Sequence, residues 1–196
     1  SLDQINSSNV KKLAPAWVFQ TGDYEGGLQS TPIVLDGVMY VSTSRNRVFA
    51  LDAATGQEIW RYVYPLPRSF QTFYGPWNRG VAVSGDKVFL GTLDNHMVAI
   101  DRKTGREVWR TSVEDSNQCG CNITAAPLVV KDKVITGVTG GDSAHRGYVT
   151  AFDVNTGRMA WRFWTIPGPG EPGHETWAGD SWKYGGGSSW MTGSYD

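Results

Sequence analysis

The sequence has no apolar run approaching the ~20 residues that a bilayer-crossing helix needs, so no membrane span is expected within it. It has no excess of charge of either sign. Its 18 Lys and Arg stand against 19 Asp and Glu, leaving a formal net charge of −1 with no basic run. That balance argues against nucleic acid as a partner, because phosphate binding needs a basic patch. Histidine is scarce, and His96, His145 and His174 lie far apart without metal-ligand spacing. They are expected in turns or on the surface. The two cysteines, Cys119 and Cys121, are separated by one glycine. Two ligands are too few for a metal site, and a ring across Cys-x-Cys is strained relative to ordinary disulfide geometry. The residues alone leave a disulfide and free thiols about equally open. The first residue is not Met, and no secretory signal pattern opens the chain.

What the sequence does have is Gly and Trp, 24 and 9 in 196 residues, and they recur in phase. The stretch from Ala50 to Trp60 reads A-x-D-x-x-T-G-x-x-x-W. It recurs from Ala99 to Trp109 and from Ala151 to Trp161, with Trp-to-Trp spacings of 49 and 52 residues. Self-similarity at such a period signals a repeat architecture. Each copy reads as strand, turn, strand. The Asp side chain can accept backbone N–H groups two residues on, and Gly supplies the positive φ that a tight reversal requires. The Trp then sits on the returning strand as a large apolar plate with one N–H to satisfy. A lone strand pair cannot bury that plate. A neighbouring identical unit can, so Trp60, Trp109 and Trp161 are expected to be wedged between stacked sheets.

Two further strand-like runs precede each copy: 31–35 and 38–42 around Asp36-Gly37, 80–83 and 87–91, and 126–130 and 133–137. Aspartate-glycine between such runs is a hairpin signal. Each unit is therefore four antiparallel strands, and radially repeated four-stranded units are propeller blades. The expected fold is an all-β partial β-propeller with blades at about 30–64, 79–113 and 124–165 and the start of another at about 185–196. A β-sandwich does not account for a Trp signature every ~50 residues. Residues 1–13 carry an apolar stripe (Leu2, Ile5, Val10, Leu13) suited to a helical turn or two, with Asp3 or Asn6 as a cap. The run from Ala14 to Phe19 resembles the last strand of an earlier blade. Three blades and two partial ones do not close a ring, so a piece of a larger propeller is expected, or one completed by another chain. The long loops 65–78 and 114–123, and the Pro/Gly-rich run 166–177, are the expected carriers of function.

The docking motif, the Trp77-Asn78-Arg79-Gly80 segment and the Gly185-Gly186-Gly187-Ser188-Ser189-Trp190 segment together resemble the pyrroloquinoline-quinone-dependent alcohol dehydrogenases. These are exported bacterial quinoproteins with an eight-bladed propeller. The resemblance covers essentially the whole chain. It implies a planar tricarboxylate quinone on the propeller axis, a calcium or lanthanide ion beside it, a primary alcohol as substrate, a c-type cytochrome as electron acceptor, and a periplasmic or otherwise exported location. Carried over by position, Arg79, Thr124 and Ser188 contact the cofactor. The Thr139-Gly140-Gly141-Asp142 segment matches one whose first residue binds cofactor and whose acidic residue ligates the metal. Trp190 forms the floor under the quinone. Asp142 is one carbon shorter than the family's glutamate.

The chain also departs from the family. Phe73-Tyr74 stands where the family has an adjacent Cys pair that caps the quinone, and Gln29 stands where it has an early glutamate. Either Phe73 or Tyr74 caps the ring instead, or Cys119 and Cys121 reach in from their own loop. The family's catalytic Asp and an Asn metal ligand match no position here. No catalytic residue is therefore assigned, and the stretch alone is expected to be inactive. Plainer readings stand beside these roles. Arg79 could pair a carboxylate between blades, Asp142 could be a turn residue, and Trp190 could simply pack. A non-catalytic binding or assembly scaffold, or a quinoprotein acting on sugars or aldehydes, would share much of the pattern.

Overall fold

A computed structural model describes residues 3–24, 26–67 and 69–196. Leu2 of the early stripe lies outside them. Among the described residues twelve strands form three antiparallel sheets, each a four-strand meander in chain order. The first holds β1 (Ile33–Leu35), β2 (Val38–Thr43), β3 (Arg47–Asp52) and β4 (Glu58–Val63). The second holds β5 (Ala82–Ser84), β6 (Lys87–Gly91), β7 (His96–Asp101) and β8 (Glu107–Ser112). The third holds β9 (Leu128–Val130), β10 (Lys133–Gly137), β11 (Tyr148–Asp153) and β12 (Met159–Trp164).

The motif builds the same corner three times. Its Ala and its Trp are cross-strand partners: Ala50 with Trp60, Ala99 with Trp109, Ala151 with Trp161. A bulge follows each pair, so an eleven-residue segment closes on itself. In the first turn Asp52 accepts the N–H groups of Ala54 and Thr55 and the Thr55 hydroxyl, and the Gly56 N–H donates to the Asp52 carbonyl. Asp101 and Asp153 repeat this pattern with Thr104 and Thr156. These bonds to the ionised form, the Thr hydroxyl prominent among them, hold all three carboxyls below their ordinary value.

The glycine of each turn is the seat of the preceding unit's tryptophan. A Cβ on Gly105 would come within 2.8 Å of the Trp60 ring, and one on Gly157 within 2.6 Å of Trp109. Trp60 Nε1 donates to the Arg102 carbonyl, and Trp109 Nε1 to that of Val154. The plate and its N–H are thus both satisfied by the next unit, as the repeat predicts. Trp161 has no such turn against it among the described residues and stays 43% exposed. Residues 14–20 form no strand among the described residues, yet Trp17 docks on Gly56 in the same way and donates to the Ala53 carbonyl.

The core lies between sheets. On β6 and β7, Val88, Leu90, Val98 and Ile100 pack towards the first sheet. The alternate residues Phe89, Met97 and Ala99 pack towards the third. Side chains point to opposite faces every second residue, so a strand buried on both faces reads as a continuous apolar run. Near the start, a single 3-10 turn spans Val10–Lys12 without a side-chain cap. The Asn6 side chain instead accepts from Ser8. Residues 185–196 form no strand of their own. They lie over the third sheet through one parallel bridge, Arg146 with Gly186.

Candidate functional site

The first strands of neighbouring blades converge, β5 touching β9, and the segments entering them bring the site residues together. Asn78 is fully engaged. Its Oδ1 accepts the Ser42 hydroxyl and the Gly80 N–H, and its Nδ2 donates to the Gly91 carbonyl 3.0 Å away. Gly80, at φ +137°, lets the chain pass Ala126 closely. Between these two anchors the Arg79 N–H donates to the Thr124 carbonyl at 2.9 Å. Asn122 in turn binds Thr139, whose N–H donates to the Asn122 carbonyl.

On the other side the 185–190 segment seats on glycines. A Cβ on Gly137 would strike Ser189, one on Gly141 would reach the Ser188 hydroxyl, and one on Gly147 would strike Gly187. The glycine-rich sequence is therefore matched on both surfaces, so Ser188 and Trp190 can approach the Gly140–Asp142 turn. The result is a cavity of about 210 Å³ lined by Tyr74, Trp77, Arg79, Thr124, Thr139, Gly140, Asp142, Ser188 and Trp190. Of the eight positions assigned from sequence, seven line it. The eighth, Gly141, supports Ser188 from behind. A second groove of about 400 Å³ on the far side of Trp190 is lined largely by Leu128, Ile135, Val149 and other uncharged residues.

The polar groups in this cavity are unequal. Arg79 is half-buried with no ion pair or side-chain hydrogen bond among the described residues, and its guanidinium lies 5.0 Å from the centre of the Trp190 ring. The reading in which it pairs a carboxylate between blades has no partner here. Burial lowers its pKa from the ordinary guanidinium value, as expected for a cation without a counter-charge. Thr124 Oγ1 is buried and unpartnered. The Thr139 hydroxyl is occupied, accepting the Asn122 N–H and donating to its carbonyl. Asp142 is exposed in a 3-10 turn, Gly141–Ser143. Trp190 keeps 43% of its surface exposed.

Tyr74 faces the cavity, held by its hydroxyl donating to Ser143 Oγ at 2.6 Å. Phe73 turns instead to a neighbouring cavity of about 740 Å³. Gln29 is exposed and lines neither. Cys119 and Cys121 form a disulfide with Cα atoms 5.1 Å apart. It stands behind Gly140, whose Cβ position would meet that of Cys121, and does not line the first cavity. His145 lies in the turn before β11, one of the two places expected of it, but is not on the surface: it is 8% exposed, packed beside Gly140 and against Tyr148. Burial holds its imidazole below the ordinary histidine value, against the pull of Glu114. Trp77, named in the sequence only as part of its segment, also lines the cavity, and the corner asparagines were missed. Asn46 binds Gly91 and Leu93 of the next blade, and Asn95 donates to the Cys121 carbonyl. Their only signal is position, each sitting just before the third strand of a blade.

The β-propeller domain of PQQ glucose/ethanol/alcohol dehydrogenases matches residues 1–196. The quinoprotein alcohol dehydrogenase PedH of Pseudomonas putida is 40% identical over 100% of this chain, which spans 36% of its length. The quinohemoprotein alcohol dehydrogenase structure from Comamonas testosteroni superposes with a TM-score of 0.85 at 39% identity, covering 97% of this chain and 30% of that one. A europium-containing methanol dehydrogenase also gives 0.85, at 38% identity, covering 96% and 36%. This chain thus spans about a third of the length of these relatives. With the family match running over every residue, the chain belongs to the PQQ-dependent glucose/ethanol/alcohol dehydrogenase β-propeller family.

Proposed function

We propose that the full-length protein containing this chain oxidises a primary alcohol with pyrroloquinoline quinone and a calcium or lanthanide ion, and passes the electrons to a c-type cytochrome. One observation carries the reading. An unpaired, half-buried arginine stacks on a half-exposed tryptophan beside a buried, unpartnered threonine hydroxyl. A tricarboxylate quinone has the matching chemistry. Its acid groups suit the fixed planar fork of Arg79, one of its polar atoms suits Thr124 Oγ1, and its ring suits the Trp190 face. These residues fit the cofactor.

The bound quinone would supply the hydride acceptor. This chain's residues bind and orient. Arg79 holds a carboxylate, Thr124 and Ser188 offer hydroxyls, and Trp190 supports the ring. Thr139 acts as wall, because its hydroxyl is already committed to Asn122. Tyr74, held by Ser143, lines the same cavity and would cap the quinone in place of the family's Cys pair. Asp142 offers one carboxylate to the metal. Calcium takes 6–8 oxygens, so Asp142 alone would not hold it and further oxygen donors would be needed. No catalytic base is assigned to this chain, and the stretch alone is proposed to be inactive. Kinship to exported quinoproteins supports a periplasmic location, with no helix among the described residues long and apolar enough to cross a membrane.

The test is reconstitution of the full-length protein with quinone and calcium or a lanthanide, followed by dye reduction on adding ethanol. Turnover requiring both components is expected. Asp142→Asn should raise the metal concentration needed for half-maximal activity at least ~10-fold, as for loss of a charged oxygen ligand. A folded protein that binds no quinone would reduce the reading to a scaffold. Quinone binding without ethanol turnover would shift the substrate to a sugar or aldehyde.

A further inference from the structure

Four potential metal ligands outside the cofactor cavity converge on one point. Single donor atoms of Glu114, Cys119, Cys121 and His145 lie within 4.8 Å of one another. They come from three places in the sequence: the end of the second sheet, the loop that follows it, and the turn before β11. In the oxidised chain the two sulfurs are bonded to each other. His145 is 8% exposed, and its Nε2 is buried without a hydrogen-bond partner. A buried imidazole nitrogen left unpaired is costly, and one nitrogen of this ring lies within 4.8 Å of both sulfurs and of the Glu114 carboxylate, which faces Arg162 Nη1 at 3.9 Å.

We propose that reduction of the Cys119–Cys121 disulfide creates a four-ligand site for a thiophilic divalent cation such as zinc, with His145 and Glu114 as the other two ligands. The balance is simple. A dithiol reductant gives two electrons and two protons to the disulfide and becomes a disulfide itself. The cation then displaces the two thiol protons. Two sulfurs, one nitrogen and one oxygen are a tetrahedral donor set of the kind zinc takes. Freed of their bond, the sulfurs can separate to the ~3.8 Å edge of a tetrahedron with ~2.3 Å metal–sulfur arms.

The surroundings already suit thiolates. Asn95 Nδ2 lies 3.2 Å from Cys119 Sγ and 3.0 Å from Cys121 Sγ, and the Cys121 N–H donates to Cys119 Sγ at 3.1 Å. Donors of this kind lower a thiol's pKa and orient a metal-bound sulfur. Gly120, at φ +59°, turns the loop so that both cysteines face the same side. Access exists, since Cys119, Glu114 and His145 all line the open 740 Å³ cavity, through which a reductant and a cation can arrive. The quinone cavity is separate, with Gly140 between the two.

The test uses the full-length protein, reduced with a phosphine and desalted without oxygen, with cobalt(II) as the probe. One equivalent is expected to give thiolate-to-cobalt charge transfer and the intense visible bands of a tetrahedral centre, both abolished by one equivalent of zinc. The oxidised protein should give neither. His145→Gln and Glu114→Gln should each weaken cobalt binding at least tenfold. Glu114→Gln, at a half-exposed position, decides the matter should His145→Gln not fold. Cobalt held at Asp142 carries no thiolate band, so failure here is distinguishable from failure of the quinone site. Absence of a thiolate band in the reduced protein would overturn the proposal. So would a band whose affinity survives Glu114→Gln unchanged.

Discussion

Replacing Arg79 with alanine is expected to weaken quinone binding by the full-length protein at least ~100-fold. The guanidinium has no counter-charge among the described residues, so none of them competes with a ligand carboxylate for it. Hydrogen bonds to charged groups contribute roughly 1.5–3 kcal/mol each, and a bidentate fork makes two, so about 3 kcal/mol is a low expectation. Arg79→Lys should recover only part, because a point charge keeps attraction but not the fork. Titration of quinone into metal-loaded protein, read by quenching of tryptophan emission, would measure both. The fold should not change, because Asn78 and Gly80 hold the segment from either side. An affinity unchanged in Arg79→Ala would remove the arginine from the site.

The second large effect is structural. Gly105→Ala should destabilise the protein by about 2–5 kcal/mol in urea unfolding. Two costs add. An L side chain at φ +71° costs roughly 1–2 kcal/mol, and the new methyl would lie 2.8 Å from the Trp60 ring, an overpacking that costs about 1–3 kcal/mol. Trp60 cannot retreat without losing its bond to the Arg102 carbonyl. Gly37→Ala supplies the contrast. Its φ of +77° is as positive, but no atom lies within 4 Å of its Cβ position, so only the strain remains. Equal losses in the two variants would mean that Trp docking adds nothing to the cohesion of neighbouring blades.

The blades were legible because the motif is local and triplicated. Ala opposite Trp, Asp and Thr closing the turn, and Gly beneath the preceding unit's ring are each demanded by contacts within one unit or with its neighbour. The cavity was legible only through resemblance, since Arg79, Thr124, Asp142 and Trp190 are brought together by loops that no periodicity predicts. Within it, sequence could not tell a committed hydroxyl from a free one. Thr139 and Thr124 look alike in the chain, but only Thr124 is left unpartnered. The burial of His145 was not legible, because spacing along the sequence says nothing of a turn that folds back onto Cys121. The cysteine pair stayed open for a similar reason. Its closure depends on how Gly120 turns, with Asp115 capping the short helix before it.

The central claim is that one cavity, between the Asn78–Gly80 corner and the 185–190 segment, receives the quinone. A crystal structure of the full-length protein with pyrroloquinoline quinone and calcium tests it most directly. The expected result is a quinone lying against the Trp190 face and beneath Tyr74, with a carboxylate on Arg79, a polar atom on Thr124 Oγ1 and the ion at Asp142. A quinone bound elsewhere, with Arg79 still unpaired against Trp190, would contradict it.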